Sequence, residues 1–516
     1  MTDRLCEDPT VNNNRRYLWL AIAALLGFFV GTKWNQPLAA WIAPIFALRF
    51  FRDSPKARWA VVGLWLASAI PAAIGLHGVT FFSKIHPVAE PLFLFLVTPI
   101  GLIPYLIDRA AQRRFADSAW LSLVFPIAVT AFDYILSSDS PYGTFGAAGY
   151  TQQGFLPTMQ IASVGGIWAI TFLINWTAAL VNHFWEQKVK PGRLGLAFAA
   201  LIVVVIAAGA LRVATAPTPT ERVEVAGFSL PNGTISTLMG QLRNDDEATF
   251  RRATDGLHEQ LLAEIERLGR DGAEIVVLQE GAGLGFSDQV DALTANAAAI
   301  AREQGIYIVL PLFDLGSRPA ENRVTIIDPQ GESVLRHVKY GGNLFEGTAK
   351  GDEQLRTVDT RYGRLSAVIC WDADFPTVMA QAGKQDVDLL FVPSNDWREV
   401  AEMHDGMATF RAIENGSSLF RQTGDGVSSA VDGYGRRYSH VNGFTSTSGD
   451  WSGEQRVTLP VGAVATLYPQ IGDRFGQLMV VALVPLLILL WVTRGRRAAS
   501  TARNGWEGRR NPQSSG

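Results

Sequence analysis

Three side chains in this sequence have the types that thiol-based acyl chemistry requires: Glu280, Lys339 and Cys370. A thiol acts as a nucleophile when a base takes its proton, a cation favours its thiolate, and donors meet the developing oxyanion. A carboxylate, an ammonium and the backbone amide after the cysteine, that of Trp371, supply all three. Each residue also closes an apolar run that reads as a strand. Glu280 follows Ile275-Val276-Val277-Leu278-Gln279, Lys339 ends Leu335-Arg336-His337-Val338, and Cys370 ends Ala367-Val368-Ile369. Strand ends that share an edge are where layered α/β proteins collect reactive groups. Taken singly, each residue has a plainer reading: Cys370 as a small buried hydrophobe, Glu280 and Lys339 as surface charges or an ion pair.

The elements that must position them are strands alternating with helices. Strands are expected at 223–230, 274–279, 306–313, 365–369 and 387–392. Helices are expected at 247–268, 293–303, from about 376, and at 402–414. Asp328-Pro329-Gln330-Gly331 between 324–327 and 333–338 predicts a hairpin, and Asp432-Gly433-Tyr434-Gly435 a second one. This block, 214–475, is an α/β layered unit of a size that supports one core.

The rest of the 516-residue chain is too apolar for an ordinary soluble enzyme, with 48% hydrophobic and only 18% charged residues. A span needs about 20 apolar residues, and eight stretches qualify or nearly so: 17–32, 35–50, 59–82, 91–107, 118–138, 160–185, 194–213 and 476–493. The first two are short. The N-terminal stretch is followed by further apolar stretches, so it is not a cleavable signal.

Lysine and arginine set the orientation. Arg4, Arg15 and Arg16, then Arg49 to Arg58, Arg109 to Arg114, Lys188 to Arg193, and the tail from Arg494 all fall on one side. Only Lys33 and Lys84 fall in short loops on the other. Both termini are therefore expected in the cytoplasm and the α/β block outside, with a disordered tail after Ala498. A net charge of −3 without a basic, aromatic-interleaved block gives no reason to expect a nucleic-acid partner. Two cysteines, Cys6 and Cys370, exclude a disulfide scaffold or a cysteine zinc site, and no metal or organic cofactor is called for. Cys6 reads as incidental. A transporter is disfavoured because the spans lack paired charges and the halves do not mirror each other. Asp133, near the outer end of a span and close to Ser137 and Asp139, reads as interfacial. His404 reads as structural.

The local words around the three residues resemble the nitrilase superfamily, whose members use a Glu–Lys–Cys triad: Gln279-Glu280-Gly281, Lys339 after its hairpin, Cys370-Trp371-Asp372, and Ser394-Asn395-Asp396-Trp397. The whole chain is similar to the apolipoprotein N-acyltransferase family, which joins such a domain to about eight spans. Two further stretches carry that similarity: Tyr142-Gly143-Thr144-Phe145-Gly146 through Gly166-Ile167-Trp168, and Leu467 to Gly476. The resemblance implies an αββα sandwich at 214–475 on the periplasmic side of the inner membrane. Spans one to seven would lie within 1–213, the eighth at 476–493, and a tail at 494–516.

It also implies a reaction. Cys370 takes an acyl chain from a phospholipid as a thioester. The chain then passes to the N-terminal diacylglyceryl-cysteine amine of a lipoprotein. Glu280 would serve as base and acid, Lys339 and the Trp371 amide would hold the oxyanion, and Glu346 would orient the lysine. The family's usual Pro-Glu is Gln279-Glu280 here. Its Pro-Phe-Gly-Glu segment is replaced by Tyr340-Gly341-Gly342-Asn343-Leu344-Phe345-Glu346, and Trp371-Asp372 stands where Tyr-Glu is usual. A membrane-tethered amidase or nitrilase, and a catalytically silent binding module, are the alternatives.

Overall fold

The computed structural model describes residues 9–115, 118–138, 140–187, 192–244, 246–448 and 451–507. Cys6 and Asp139 lie outside them. Two stacked sheets form the α/β part. In the first, strands Arg222–Ser229, Ile275–Leu278 and Tyr307–Asp314 run parallel at the centre, and the hairpin Glu321–Ile327 and Ser333–Val338 continues one edge. In the second, Gly363–Ala367, Leu389–Phe391 and Ser418–Arg421 are parallel neighbours. The second hairpin, Val427–Val431 with Arg437–Asn442, lies at one edge.

Alternation along the strands builds the layers, because successive side chains point to opposite faces. Val223, Val225, Ile275, Val277, Val309 and Ile326 face Leu365, Ala367, Leu389, Phe391 and Phe420 between the sheets. The opposite face of the first sheet, with Ala226, Phe228, Val276 and Ile308, packs on helices Glu247–Arg270 and Ser287–Gln304. The outer face of the second sheet, with Val368, Leu390 and Leu419, packs on Pro376–Lys384 and Ala401–Asn415. The result is an αββα sandwich.

Six helical stretches among the described residues are long and apolar enough to cross a membrane: Ala57–Gly75, Ala89–Gln112, Ala119–Ser138, Ala162–Gln187, Gly192–Ala214 and Arg474–Thr493. Pro9–Gly27 and Pro37–Asp53 pack in the same bundle, although they fall short of that standard, in keeping with the shortness of the first two apolar stretches. The last helix continues to Glu507, past Ala498, where disorder is expected from composition; the alanines of that stretch favour helix.

A second expectation is corrected. The bundle does hold a buried charge pair: Arg52 donates to both oxygens of Asp108 at 2.8 and 2.7 Å, with Asp108 fully buried. The pair sits at helix ends, where Arg109 also donates to the carbonyls of Phe51 and Ser54. There it ties helix termini together.

At the other end of the bundle the loops between helices meet the sandwich. Thr144 donates through its amide (2.8 Å) and hydroxyl (2.9 Å) to the carbonyl of Asp374. Gly143 has φ +57, and a Cβ there would lie 2.3 Å from that same oxygen, so only glycine fits. Trp168 Nε1 and the Tyr468 hydroxyl both donate to Asp473 Oδ1, at 2.8 and 2.7 Å. Gly166, at φ +65, lies against the Tyr468 ring. Trp397 Nε1 donates to the Gly78 carbonyl at 2.7 Å. The two stretches that carry the wider family resemblance are thus the joint between the two halves.

Candidate active site

Glu280 follows the end of Ile275–Leu278, and its amide donates to the Ser394 carbonyl across the sheets at 3.3 Å. Lys339 follows Ser333–Val338, and its amide extends the hairpin ladder to the Asn322 carbonyl at 2.9 Å. Cys370 follows Gly363–Ala367 and opens a tight turn, Cys370–Asp374. Its backbone sits at φ +47, a left-handed conformation that is strained for a residue with a Cβ. The amide of Cys370 is held by the Pro393 carbonyl at 2.9 Å. All three side chains are buried.

Lys339 is the hub. Its Nζ donates to Glu280 Oε1 at 2.6 Å and to Glu346 Oε1. Asn322 Nδ2 bridges the same two carboxylates, at 2.8 Å from Glu280 and 3.3 Å from Glu346. Burial disfavours the ammonium, but Glu280 and Glu346 outweigh it and hold Lys339 charged, well above the usual lysine value. Burial pushes the Cys370 thiol up; Glu280 adds to this, and Lys339 pulls the other way. Burial also raises the Glu346 carboxyl, against the pull of Lys339. Burial and Glu280 thus both favour the protonated thiol, and Lys339 is the nearby charge that opposes them.

One carboxylate aligns the two strand ends. Asp372, fully buried, accepts at Oδ1 from the amides of Tyr340 and Gly341, at 2.8 and 2.7 Å. At Oδ2 it faces the Ile369 amide and His337 Nε2, both at 2.8 Å. The turn bearing Cys370 is thereby pinned to the segment just after Lys339.

The cavity over Cys370 has walls from both halves of the chain. Glu346, Trp371, Asn395 and Trp397 belong to the sandwich, and Phe81 comes from the loop between two bundle helices. Glu90 fixes that loop: buried at the start of helix Ala89–Val97, it accepts from the amides of Gly78 and Thr80 at 2.6 and 2.7 Å.

The structure brings Glu280, Lys339, Cys370, Glu346 and Trp371 together. Asp133 is elsewhere, accepting from the Ala148 amide at 3.0 Å and the Thr171 hydroxyl at 3.1 Å inside the bundle. His404, expected to be structural, borders the Cys370 cavity together with Asp396. Cys370, Asp396 and His404 each bring a ligand-type atom within 4.8 Å of the others. His404 Nδ1 and Asp396, however, already pair at 2.8 Å, and Arg421 holds the other oxygen of Asp396 at 2.8 Å. Phe81, Asn322 and Arg421 are missed by sequence reasoning. Asn322 leaves one trace, as an amide at the head of the otherwise apolar run Val324 to Ile327.

Residues 241–437 match the family model described as carbon-nitrogen hydrolase. Residues 15–180 match that of the apolipoprotein N-acyltransferase N-terminal domain. The chain is 24% identical to an apolipoprotein N-acyltransferase of Geobacter metallireducens, over 89% of this chain and 92% of that one. It is 25% identical to one from a Nostoc species, over 86% and 94%. Among solved structures, an amidase from a Nesterenkonia species overlaps 48% of this chain and 94% of its own, at 19% identity and a TM-score of 0.37.

Proposed function

For a chain that belongs to the apolipoprotein N-acyltransferases, within the carbon-nitrogen hydrolase superfamily, we propose a two-step transfer through Cys370. The observation that carries it is the buried Lys339–Glu280 contact of 2.6 Å beside a cysteine whose cavity is walled partly by Phe81 of the bundle.

In the first step Cys370 Sγ attacks the carbonyl carbon of a phospholipid ester. Glu280 takes the thiol proton and returns it to the departing glycerol oxygen, leaving a thioester and a lysophospholipid. Lys339 and the Trp371 amide stabilise the oxyanion, while Glu346 and Asn322 keep Lys339 and Glu280 aligned. In the second step the α-amine of a lipoprotein's diacylglyceryl-cysteine attacks the thioester. Glu280 takes a proton from that nitrogen and delivers it to the leaving sulfur, giving an amide and the free thiol. Both substrates are lipid-anchored, so a cavity facing the bundle receives them from the bilayer and disfavours water.

The distribution of lysine and arginine supports a site on the periplasmic side of the inner membrane. The same reading takes 1–213 and 476–493 as the membrane part and 214–475 as the catalytic part. Transfer to water, as in an amidase, and a silent module are not favoured, because the relatives that match over most of the chain are N-acyltransferases.

Intact-mass spectrometry after incubation with phosphatidylethanolamine tests the proposal. A hydroxylamine-labile gain of one acyl chain is expected, replaced in Cys370→Ser by a stable ester or nothing. No adduct with any phospholipid would refute it.

A further inference from the structure

Behind Cys370 lies a charged group that the transfer steps leave unused. His404, on helix Ala401–Asn415, is 2% exposed. Its Nδ1 is 2.8 Å from Asp396 Oδ1, and its Nε2 is 3.3 Å from Asp374 Oδ2. Asp374 is fully buried, and among the described residues neither of its carboxylate oxygens has a partner in hydrogen-bond geometry. Arg421 completes the group, with Nη2 at 2.8 Å from Asp396 Oδ2 and 3.2 Å from His404 Nδ1.

The cluster adjoins the reacting atom. A His404 nitrogen and an Asp396 oxygen lie within 4.8 Å of Cys370 Sγ. Asp374 ends the turn that Cys370 begins. Two carboxylates there oppose any negative charge on sulfur. Arg421 is engaged with Asp396, and the cation paired with Asp374 is His404. Burial works against a charged imidazole, but Asp374 and Asp396 outweigh it and lift His404 to about 9. Arg421 and His404 together overcome burial at Asp396 and hold its carboxyl at about 2.

We propose that His404 is a positioning residue of the transfer reaction, its imidazolium cancelling the charge of Asp374 and Asp396 so that Cys370 can carry negative charge. This rests on the reading of Cys370 as nucleophile. A purely structural histidine would fill the same space, but its loss would not be repaired by removing a neighbouring negative charge. Asp374→Asn is suited to that repair, because the Asp374 contact to the bundle runs through its backbone carbonyl.

The test is iodoacetamide alkylation of Cys370 in the full-length, detergent-solubilised protein, followed by peptide mass spectrometry that separates Cys370 from Cys6. With His404→Gln the rate should fall about ten-fold, and its pH profile should move up by about one unit, the size of effect one nearby charge has on a thiol. Asp374→Asn should move the profile down. His404→Gln with Asp374→Asn should return to within about two-fold of wild type, because the charges again balance. Unchanged profiles in both single variants, or a loss in His404→Gln that the second substitution does not repair, would overturn the proposal. Should His404→Gln fail to fold, Asp374→Asn decides alone: a downward shift supports the proposal and no shift refutes it. Thioester formation by the wild-type preparation is read in parallel. Its absence strikes at Cys370 as nucleophile, whereas unmoved alkylation profiles strike only at His404.

Discussion

Lys339→Met removes one cation that serves two carboxylates, and its consequences for stability and for rate can be separated. The ammonium is 1% exposed, and it contacts Glu280 at 2.6 Å and Glu346 more closely still. Methionine fills most of the space but leaves both carboxylates without a countercharge. Breaking a buried pair in this way costs about 3–5 kcal/mol, or roughly 10 °C in melting temperature for a unit of this size. Part of that loss is relieved when one carboxylate takes up a proton.

The rate has a separate cause. Loss of one oxyanion donor lowers kcat about 100- to 1,000-fold, and Glu280 also loses the contact that aims it. Lys339→Met with Glu346→Gln should therefore regain part of the stability, since one of the two uncompensated charges is gone, and none of the activity. Melting in detergent and the rate of thioester appearance read the two effects. Thioester formation by Lys339→Met at more than about one-tenth of the wild-type rate would refute the oxyanion role, since a lost donor costs at least 100-fold. Recovery of activity in the double variant would show that Lys339 acts only as a structural countercharge.

Gly143→Ala should cost about 1–2 kcal/mol for the left-handed backbone alone. Its Cβ must also push the Asp374 carbonyl away from the 2.3 Å approach. A displacement of about 1 Å in the turn bearing Cys370 should slow acylation about 100-fold with little change in lipid affinity; an unchanged rate would disconnect that joint from the chemistry. Asn322→Ala removes the bridge between Glu280 and Glu346 and should lower kcat about ten-fold, checked by single-turnover acylation. Stability should depend on pH through His404. Its folded value of about 9 lies above the ordinary histidine value, so its contribution is complete below about pH 6.5 and is lost as pH rises toward 9. Melting curves over that range should show the decline in wild type and its absence in His404→Gln.

Much of this architecture is legible in the residues. Val223 to Leu230 and Ile306 to Phe313 announce strands because β-branched and aromatic residues crowd short runs bounded by turn formers. Asp328 to Gly331 places Lys339 at a hairpin end by turn chemistry alone. The strand Trp451–Pro460 escapes notice, because Ser452, Glu454, Gln455 and Arg456 break the apolar pattern. That strand is specified by its antiparallel register with Arg222–Ser229, a contact remote in sequence. Asn322 and Phe81 escape for a related reason: each acquires its role only when a distant segment arrives beside it. His404 reads as bland because a lone histidine gives no sign that Asp374, Asp396 and Arg421 converge on it.

The joint between bundle and sandwich bears on how such a chain can change over time. Its contacts do not bind one finished body to another. The Asp374 carbonyl belongs to the turn that Cys370 opens, and Phe81 forms part of the wall over the sulfur. A foreign anchor would keep the sandwich at the bilayer yet deliver neither contact, so the helices are not exchangeable cargo. On the proposed reaction, the two halves are expected to change in step, and a chimera that swaps one of them should keep the tether and lose the transfer.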